Sequence, residues 1–477
     1  MKTMRQSAIS LFGRVIPAAV GLGSVCIYTR LLDPASVGVY ALLLSSSLLA
    51  SGLGFAWLRN AVLRVMSGEA DGRMEPSIAK TVVACFAITA LIVGSLEGTL
   101  LHIFRPAIPL QSVVLAVGAG LALAWNELNA SLLQARLRFL SWGVLNFARA
   151  VGALAATLAF IALGWKTDAL LCGFIVGNCA SLACVGLWSP ALAGKFDREL
   201  FGRFLHFGWP LSVKGGFEQI APTFQRYIID YSVGASAVGL YAVANDFTAQ
   251  TLGSIVGSLS LAGIPMAFRA RDRGGAPALQ AQLADNARLI FAMAAPLALG
   301  VMVLAKPIAS VFFGPNFRAG AEVVMALIAA QALLGNLRSY YFDQAFELAY
   351  RTRPQAVISA IVAIVSVLSS FVLIPRYTAV GAALSAVIAG VVGISLSAIW
   401  GASILRVPIP MRSWLKTGAA TIAMTAVLAV VPKHGGVVEL LSLSCLGALV
   451  YGGASAAMRF DFVRATLRRR TTSLVRT

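Results

Sequence analysis

The chain has 477 residues, of which 58% are hydrophobic and only 12% are charged, and its mean hydropathy is +0.83. Soluble domains contain about 45–50% apolar and about 25% charged residues, so the composition excludes a soluble globular protein. The net charge of +19 does not indicate a nucleic-acid partner. The basic residues of the chain lie between hydrophobic runs, whereas those of a nucleic-acid-binding protein cluster on one face.

About fourteen apolar runs follow one another along the chain, each close to the roughly 20 residues that a membrane-spanning helix needs. The first run follows Met1-Lys-Thr-Met-Arg5 without a small-residue cleavage site, so we expect a retained helix and not a signal peptide. The stretches between runs are shorter than the roughly 50 residues of an independent domain, which argues against an attached ATPase or a large catalytic lobe. The predicted spans are residues 7–28, 37–58, 79–100, 111–133, 146–164, 168–188, 208–229, 237–265, 286–311, 322–343, 355–374, 379–403, 413–431 and 437–457.

The lysine and arginine residues between the spans predict the orientation. If the amino terminus is cytoplasmic, about 26 of them lie on the inner side and about 7 on the outer side. This asymmetry predicts that both termini are cytoplasmic. It also requires an even number of spans.

An internal repeat predicts the domain organisation. Val37-Gly-Val-Tyr-Ala41, at the start of the second span, recurs as Val238-Gly-Leu-Tyr-Ala242 at the start of the eighth. We therefore expect an all-α polytopic membrane protein with two six-helix bundles in parallel repeat, an arrangement found in many secondary transporters. The predicted parts are an N-lobe (1–189), a cytoplasmic linker (190–207), a C-lobe (208–405), two further helices (406–458) and a basic cytoplasmic tail (459–477).

Four stretches resemble a known family. They are Ser10-Leu-Phe-Gly-Arg14, the turn from Thr29 to Tyr40, Leu133-Gln-Ala-Arg-Leu-Arg-Phe139 and the segment from Leu373 to Ala383. Together they resemble the Wzx-like polysaccharide and O-antigen flippases of the multidrug/oligosaccharidyl-lipid/polysaccharide (MOP) exporter superfamily. The resemblance extends from about residue 5 to 405.

This resemblance implies a V-shaped pair of bundles that alternates between inward-open and outward-open states in the bacterial inner membrane. The implied cargo is an undecaprenyl-pyrophosphate-linked oligosaccharide, which moves from the cytoplasmic to the periplasmic leaflet for O-antigen, capsule or exopolysaccharide synthesis. The implied partners are this lipid-linked oligosaccharide, membrane lipids and, as a candidate, a polymerase of the same pathway. No enzymatic activity, cofactor or nucleic-acid partner is expected.

Basic residues inside the spans are candidates for binding the pyrophosphate. A charge near the bilayer centre costs on the order of 3 kcal/mol and usually faces a bundle interior or a watery cavity, and arginine presents planar donors that match phosphate oxygens. Arg14 is the strongest candidate, because the resemblance implies that a first-span arginine lines the central cavity. Lys214 falls within one residue of the position that the repeat aligns with Arg14. The predicted binding residues are Arg14, Lys214, Arg226 and Arg338, although those near the inner ends of spans also fit snorkelling to the interface, which we favour for Arg149.

Acidic residues inside the spans are candidate counter-ions or coupling sites. We expect Glu127 to be the counter-ion of Arg14, and Glu218, four residues after Lys214, to neutralise that lysine. Asp246 has no basic neighbour in sequence and is a candidate for ion coupling. The six cysteines lie inside apolar runs and the three histidines are scattered, so no metal site is expected.

Two other functions stay open from the residues alone. A cation-coupled multidrug exporter of the same superfamily would be expected to have acidic residues in its central cavity, whereas here Arg14 and Lys214 occupy matched positions. A membrane-embedded glycosyltransferase or polymerase usually has a long outer loop with a catalytic acid, and no such loop is found.

Overall fold

The computed structural model describes residues 17, 19–68, 75–136, 138–260, 263–351, 353–433 and 435–458, and within these ranges the chain is helical and has no β-strand. Ten helical stretches in the described ranges are long and apolar enough to cross a membrane, so the chain is a multi-pass membrane protein. The all-α prediction is confirmed for these residues, and the count of fourteen spans stays a prediction. The helices are α1 (Ala19–Leu31), α2 (Pro34–Gly68), α3 (Pro76–Phe104), α4 (Leu110–Ala135), α5 (Phe139–Ala162), α6 (Thr167–Cys179), α7 (Arg198–Ser232), α8 (Ala235–Ser260), α9 (Gly263–Phe312), α10 (Ala321–Leu337), α11 (Gln344–Leu348), α12 (Arg353–Ile404), α13 (Met411–Val430) and α14 (Val437–Ala457).

Two of these helices are too long to be single spans and contain a break. The 52 residues of α12 would extend about 78 Å at 1.5 Å per residue, more than twice the hydrocarbon thickness of about 30 Å. Thr378 has a φ of 55° and a ψ of −130°, which interrupts the helix three residues after Pro375. The break lies between the predicted spans 355–374 and 379–403. In α9 the corresponding break is at Gly275, whose φ is 63°.

The segment between the sixth and seventh predicted spans is more helical than expected. A 3₁₀ helix, Ala180–Leu192, follows α6 directly, and α7 begins at Arg198, ten residues before the predicted span. The carboxylate of Asp197 caps α7, because it accepts hydrogen bonds from the backbone N–H groups of Glu199 (2.9 Å) and Leu200 (3.0 Å). Much of the predicted linker is therefore the first turns of a long helix.

The chain forms two compact units, Met1–Ala242 and Val243–Thr477, with the boundary inside α8. In the first unit α2 packs against both α4 and α7, and α5 packs against α6. Small and aliphatic side chains from α2, α3, α4 and α6 form one core cluster, which includes the fully buried residues Leu43, Ala116 and Leu171. This close packing brings α2, α3 and α4 together around the polar side chains of Ser47 and Glu97.

The two copies of the repeated Val-Gly-x-Tyr-Ala motif meet inside the first unit. A methyl group added at Gly38 would overlap the backbone carbonyl of Ala235, and one added at Gly239 would overlap the backbone carbonyl of Pro34. Only a hydrogen side chain allows the amino-terminal turns of α2 and α8 to approach this closely. Each glycine therefore lies against the turn that precedes the other.

The second unit is built around α9. This helix packs against α10 and α13, while α10 packs against α12 and α13 against α14. Aromatic side chains fill the inner core: the rings of Phe291 and Trp414 stack with centroids 4.8 Å apart, and Tyr341 is fully buried beside them. Tyr341 belongs to a π-helical turn, Arg338–Phe342, between α10 and α11.

Candidate functional site

The two strongest predicted pyrophosphate ligands are the least described by the structure. Arg14 lies outside the described residues. Lys214 is on α7, but only its backbone is described. The expected pairings of Arg14 with Glu127 and of Lys214 with Glu218 therefore stay predictions, as does the shared depth of the two cations.

Arg226 is buried in the first unit, with 6% of its surface exposed. Its Nη1 donates hydrogen bonds to the carbonyl oxygen of Ala41 and to Oγ of Ser45, both at 3.2 Å. These contacts join α7 to α2. In this conformation the guanidinium is directed at protein acceptors.

Arg338 belongs to a buried polar cluster in the second unit. Its Nε lies 3.5 Å from Oδ2 of Asp343, and these side chains are 14% and 4% exposed. Nη2 donates a hydrogen bond to Oγ of Ser359 at 3.0 Å, and Asp343 accepts one from Ser397 at 2.7 Å. Gly393 leaves room for the guanidinium, since a Cβ there would lie 3.1 Å from Nη1. The charge of Arg338 is therefore compensated by Asp343.

The three predicted acids occupy different environments. Glu127, on α4, forms an ion pair with Arg59 of α2, and about two fifths of its side chain is exposed. Glu218 is exposed on α7. Asp246 is exposed on α8, accepts a hydrogen bond from Nδ2 of Asn245 at 2.9 Å, and lines a groove of about 410 Å³ on one face of that helix.

A larger cavity, about 560 Å³ in volume, lies in the first unit between α2, α3 and α7. Its surface is mostly apolar, with Leu49 and Leu53 from α2, Leu96 and Leu100 from α3, and Phe224 from α7. Six residues with polar groups interrupt this lining: Ser46, Glu97, Arg105, Thr223, Tyr227 and Tyr231. The size falls in the range of small-ligand sites, which are concave and apolar with a few polar groups.

The polar groups at one end of this cavity bond to one another. Arg105, directly after α3, forms an ion pair with Asp230 of α7, and its Cζ lies 5.9 Å from the ring centroid of Tyr227. The hydroxyl of Tyr227 lies 2.5 Å from Oγ of Ser46 on α2. This network ties the three helices together where α3 and α7 end.

Glu97 is the functional candidate that the sequence analysis missed. It lies on α3 and is only 7% exposed, and its Oε1 is 2.9 Å from Oγ of Ser47 on α2. The signal was present in the sequence, because Glu97 is the single acidic residue in the predicted span 79–100. Acidic residues inside a span are rare and usually functional.

Comparison with known proteins identifies the family. A family model described as a polysaccharide biosynthesis protein matches residues 27–322, which is more than half of the chain. The chain belongs to this polysaccharide biosynthesis family. No curated protein sequence matches the chain significantly.

Solved structures show that this polysaccharide biosynthesis protein has the fold of MOP transporters. The lipid II flippase MurJ in an inward closed conformation is similar with a TM-score of 0.79 and 14% identity, over 96% of this chain and 100% of that one. An inward-facing multidrug resistance MATE family transporter is similar with a TM-score of 0.65 and 15% identity, over 83% and 97% of the two chains. A MOP superfamily transporter from Pyrococcus furiosus gives a TM-score of 0.57 at 14% identity, over 84% and 94%.

These findings confirm the predicted resemblance to Wzx-like flippases. The family is therefore one of polysaccharide biosynthesis proteins, and the fold is one that MOP transporters share. At these identities the structural likeness shows the fold alone.

Proposed function

We propose that this protein flips an undecaprenyl-pyrophosphate-linked oligosaccharide from the cytoplasmic to the periplasmic leaflet by alternating access. Two findings together support this proposal most strongly. A polysaccharide biosynthesis family model matches residues 27–322, and the fold is similar over 96% of the chain to that of a lipid II flippase. A polysaccharide precursor attached to a lipid is a cargo that agrees with both the family and the fold. The protein accordingly belongs in the bacterial inner membrane, with both termini in the cytoplasm.

The chemistry of such a cargo explains the basic residues within the spans. A pyrophosphate carries several negative charges, and its transfer into hydrocarbon without compensation is prohibitive. Guanidinium and ammonium groups in a wet chamber replace its hydration with charge-assisted hydrogen bonds. Our proposed ligands are Arg14, Lys214, Arg226 and Arg338.

In this proposal Arg14 and Lys214 are the main ligands of the pyrophosphate. Arg226 and Arg338 hydrogen-bond to protein acceptors in the described conformation, so reaching a pyrophosphate would require them to exchange these contacts. The predicted lobes, 1–189 and 208–405, would alternate around the cargo. A polymerase of the same pathway is the proposed downstream partner, because it would receive the flipped repeat unit.

The test in cells compares Arg14→Ala with Arg14→Lys in a strain that depends on this protein for polysaccharide export. We expect the Ala variant to lose exported polysaccharide and to accumulate lipid-linked precursor, while membrane insertion stays normal. The Lys variant retains part of the export because it keeps the charge but not the planar donors. Arg203→Ala is the control, since Arg203 is 70% exposed at the start of α7 and should have no effect.

Unchanged export in the Arg14→Ala strain would remove Arg14 from the mechanism. The drug-exporter alternative predicts a different result for a deletion strain. Deletion of the gene would then raise drug sensitivity and leave both the precursor and the polysaccharide at normal levels.

A further inference from the structure

Glu97 places a carboxyl group deep in the first unit, where three helices meet. It lies seven residues before the end of α3, which corresponds to about 10 Å along the helix. Ser47 of α2 lies beside it and also contacts the carbonyl of Ala116 on α4, and a Cβ added at Gly120 of α4 would be 3.4 Å from Oε2 of Glu97. Its other side lines the 560 Å³ cavity. The carboxyl is therefore buried in protein but adjacent to the open space of the cavity.

The hydroxyl of Ser47 lies within hydrogen-bond distance of three oxygen atoms but has only one hydrogen to donate. Its Oγ lies 2.9 Å from Oε1 of Glu97, 2.8 Å from the carbonyl oxygen of Ala116 and 3.0 Å from that of Leu43. A serine hydroxyl has one hydrogen to donate and two lone pairs with which to accept. If Glu97 were ionised, all three neighbours would compete for that single hydrogen.

A protonated Glu97 removes this conflict. Its carboxylic O–H then donates to Oγ of Ser47, and the hydroxyl of Ser47 donates to the carbonyl of Ala116. The result is a chain of hydrogen bonds from α3 through α2 to α4 in which every hydrogen has an acceptor. A neutral carboxyl also avoids the large penalty of a buried charge without a partner.

The charged and titratable groups on the surrounding helices are engaged elsewhere. Arg105 of α3 is paired with Asp230 of α7, and Arg226 of α7 donates to acceptors of α2. Tyr227 of α7 shares a hydrogen bond with Ser46, and Tyr231 is exposed at the cavity edge. Among the described residues, none of these cations forms an ion pair with Glu97.

We propose that Glu97 is a proton-binding site and that it holds its proton in the conformation described here. Among the described residues, Glu97 belongs to no group of three or more His, Cys, Asp or Glu side chains that could hold a metal ion. When the proton leaves, it passes to water in the cavity and a carboxylate remains. The hydroxyl of Ser47 then turns from Ala116 to Glu97, so the α2–α4 hydrogen bond is lost.

Infrared difference spectroscopy of the full-length protein in lipid nanodiscs tests this directly. The wild-type spectrum minus that of Glu97→Gln at neutral pH should contain the C=O stretch of a protonated carboxylic acid. Ser47→Ala should shift that band to higher wavenumber, because the carboxyl loses its acceptor. Glu127→Gln is the matched control, and since Glu127 is ion-paired with Arg59 its difference spectrum should contain carboxylate bands instead.

Carboxylate bands in the Glu97 difference spectrum, like those of the Glu127 control, would overturn the proposal. A second measurement does not depend on the folding of a variant. Dicyclohexylcarbodiimide reacts with protonated carboxyl groups in apolar sites, so mass spectrometry of the treated wild-type protein should find the adduct on Glu97 and not on Glu127. The reverse distribution would also refute a proton at Glu97.

Discussion

Substitution of Asp343 by Asn tests whether the buried cluster of Arg338 is a structural ion pair. The carboxylate of Asp343 is 4% exposed and lies 3.5 Å from Nε of Arg338. At that separation the Coulomb attraction is about 5 kcal/mol for an effective dielectric constant of about 20. The hydrogen bond from Ser397 can persist to the amide oxygen, so the main loss is the neutralising charge.

We expect Asp343→Asn to destabilise the protein by about 3–5 kcal/mol, the usual cost of leaving one buried charge without its partner. The control is Glu199→Gln, which breaks an ion pair to Arg203 whose members are 77% and 70% exposed. Exposed pairs of this kind contribute less than about 0.5 kcal/mol. Both variants remove one carboxylate charge from an ion pair with arginine, and the pair at Asp343 is far more buried.

The assay is the apparent Tm of the purified protein in detergent, followed by tryptophan fluorescence at one fixed heating rate, since membrane proteins often unfold irreversibly. Asp343→Asn should lower the Tm markedly, Glu199→Gln should leave it unchanged, and the double variant Arg338→Gln/Asp343→Asn should recover part of the loss. Equal Tm values for Asp343→Asn and wild type would refute the pairing. Arg338 would then be available as a ligand for the cargo in this conformation.

Two further predictions concern the amino-terminal end of α2. Gly38→Ala should reduce export and lower the Tm, because the added methyl group overlaps the carbonyl of Ala235. Gly418→Ala is the control and should have no adverse effect, since its methyl group meets no atom within 4 Å. Equal export and Tm in the two variants would contradict the close approach of Gly38 to Ala235. Asp33→Ala should cost about 1 kcal/mol, because Asp33 accepts hydrogen bonds from the N–H and hydroxyl of Ser36 at the start of α2. The hydrogen bond from Ser36 lowers the pKa of Asp33. The stabilisation by the Asp33 carboxylate is therefore complete at neutral pH and disappears as the pH falls below about 4. A difference in Tm between wild type and Asp33→Ala that stays constant down to pH 3 would contradict this dependence.

Hydropathy and helix-breaking residues predicted the helical segments well. The predicted final span, 437–457, coincides with α14, and the break at Thr378 lies between two predicted spans because Pro375-Arg-Tyr interrupts the apolar run. The helix starts were predicted less well. Because Asp197 caps α7 at a polar segment, the helix begins ten residues before its hydrophobic part, and hydropathy does not detect that extension.

The polar contacts inside the spans depend on tertiary packing and were not predictable from spacing. Arg338 and Asp343 are five residues apart, and a π-helical turn between them brings them together, where an ideal α-helix would favour partners three or four residues apart. Glu97 and Ser47 are fifty residues apart on helices whose relative rotation the sequence does not give. Glu127 forms an ion pair with Arg59, which follows the predicted span 37–58 by one residue, and nothing in the spacing of the two residues indicates this contact.

Translocation by the purified protein in proteoliposomes tests the central claim most directly. Undecaprenyl-pyrophosphate-linked oligosaccharide is placed in both leaflets, and an enzyme added outside removes the oligosaccharide from every molecule that reaches the outer leaflet. We expect complete cleavage with the wild-type protein, and cleavage of only the outer half in empty liposomes and with Arg14→Ala. Cleavage that stops at the outer half with correctly folded wild-type protein would contradict the flippase function.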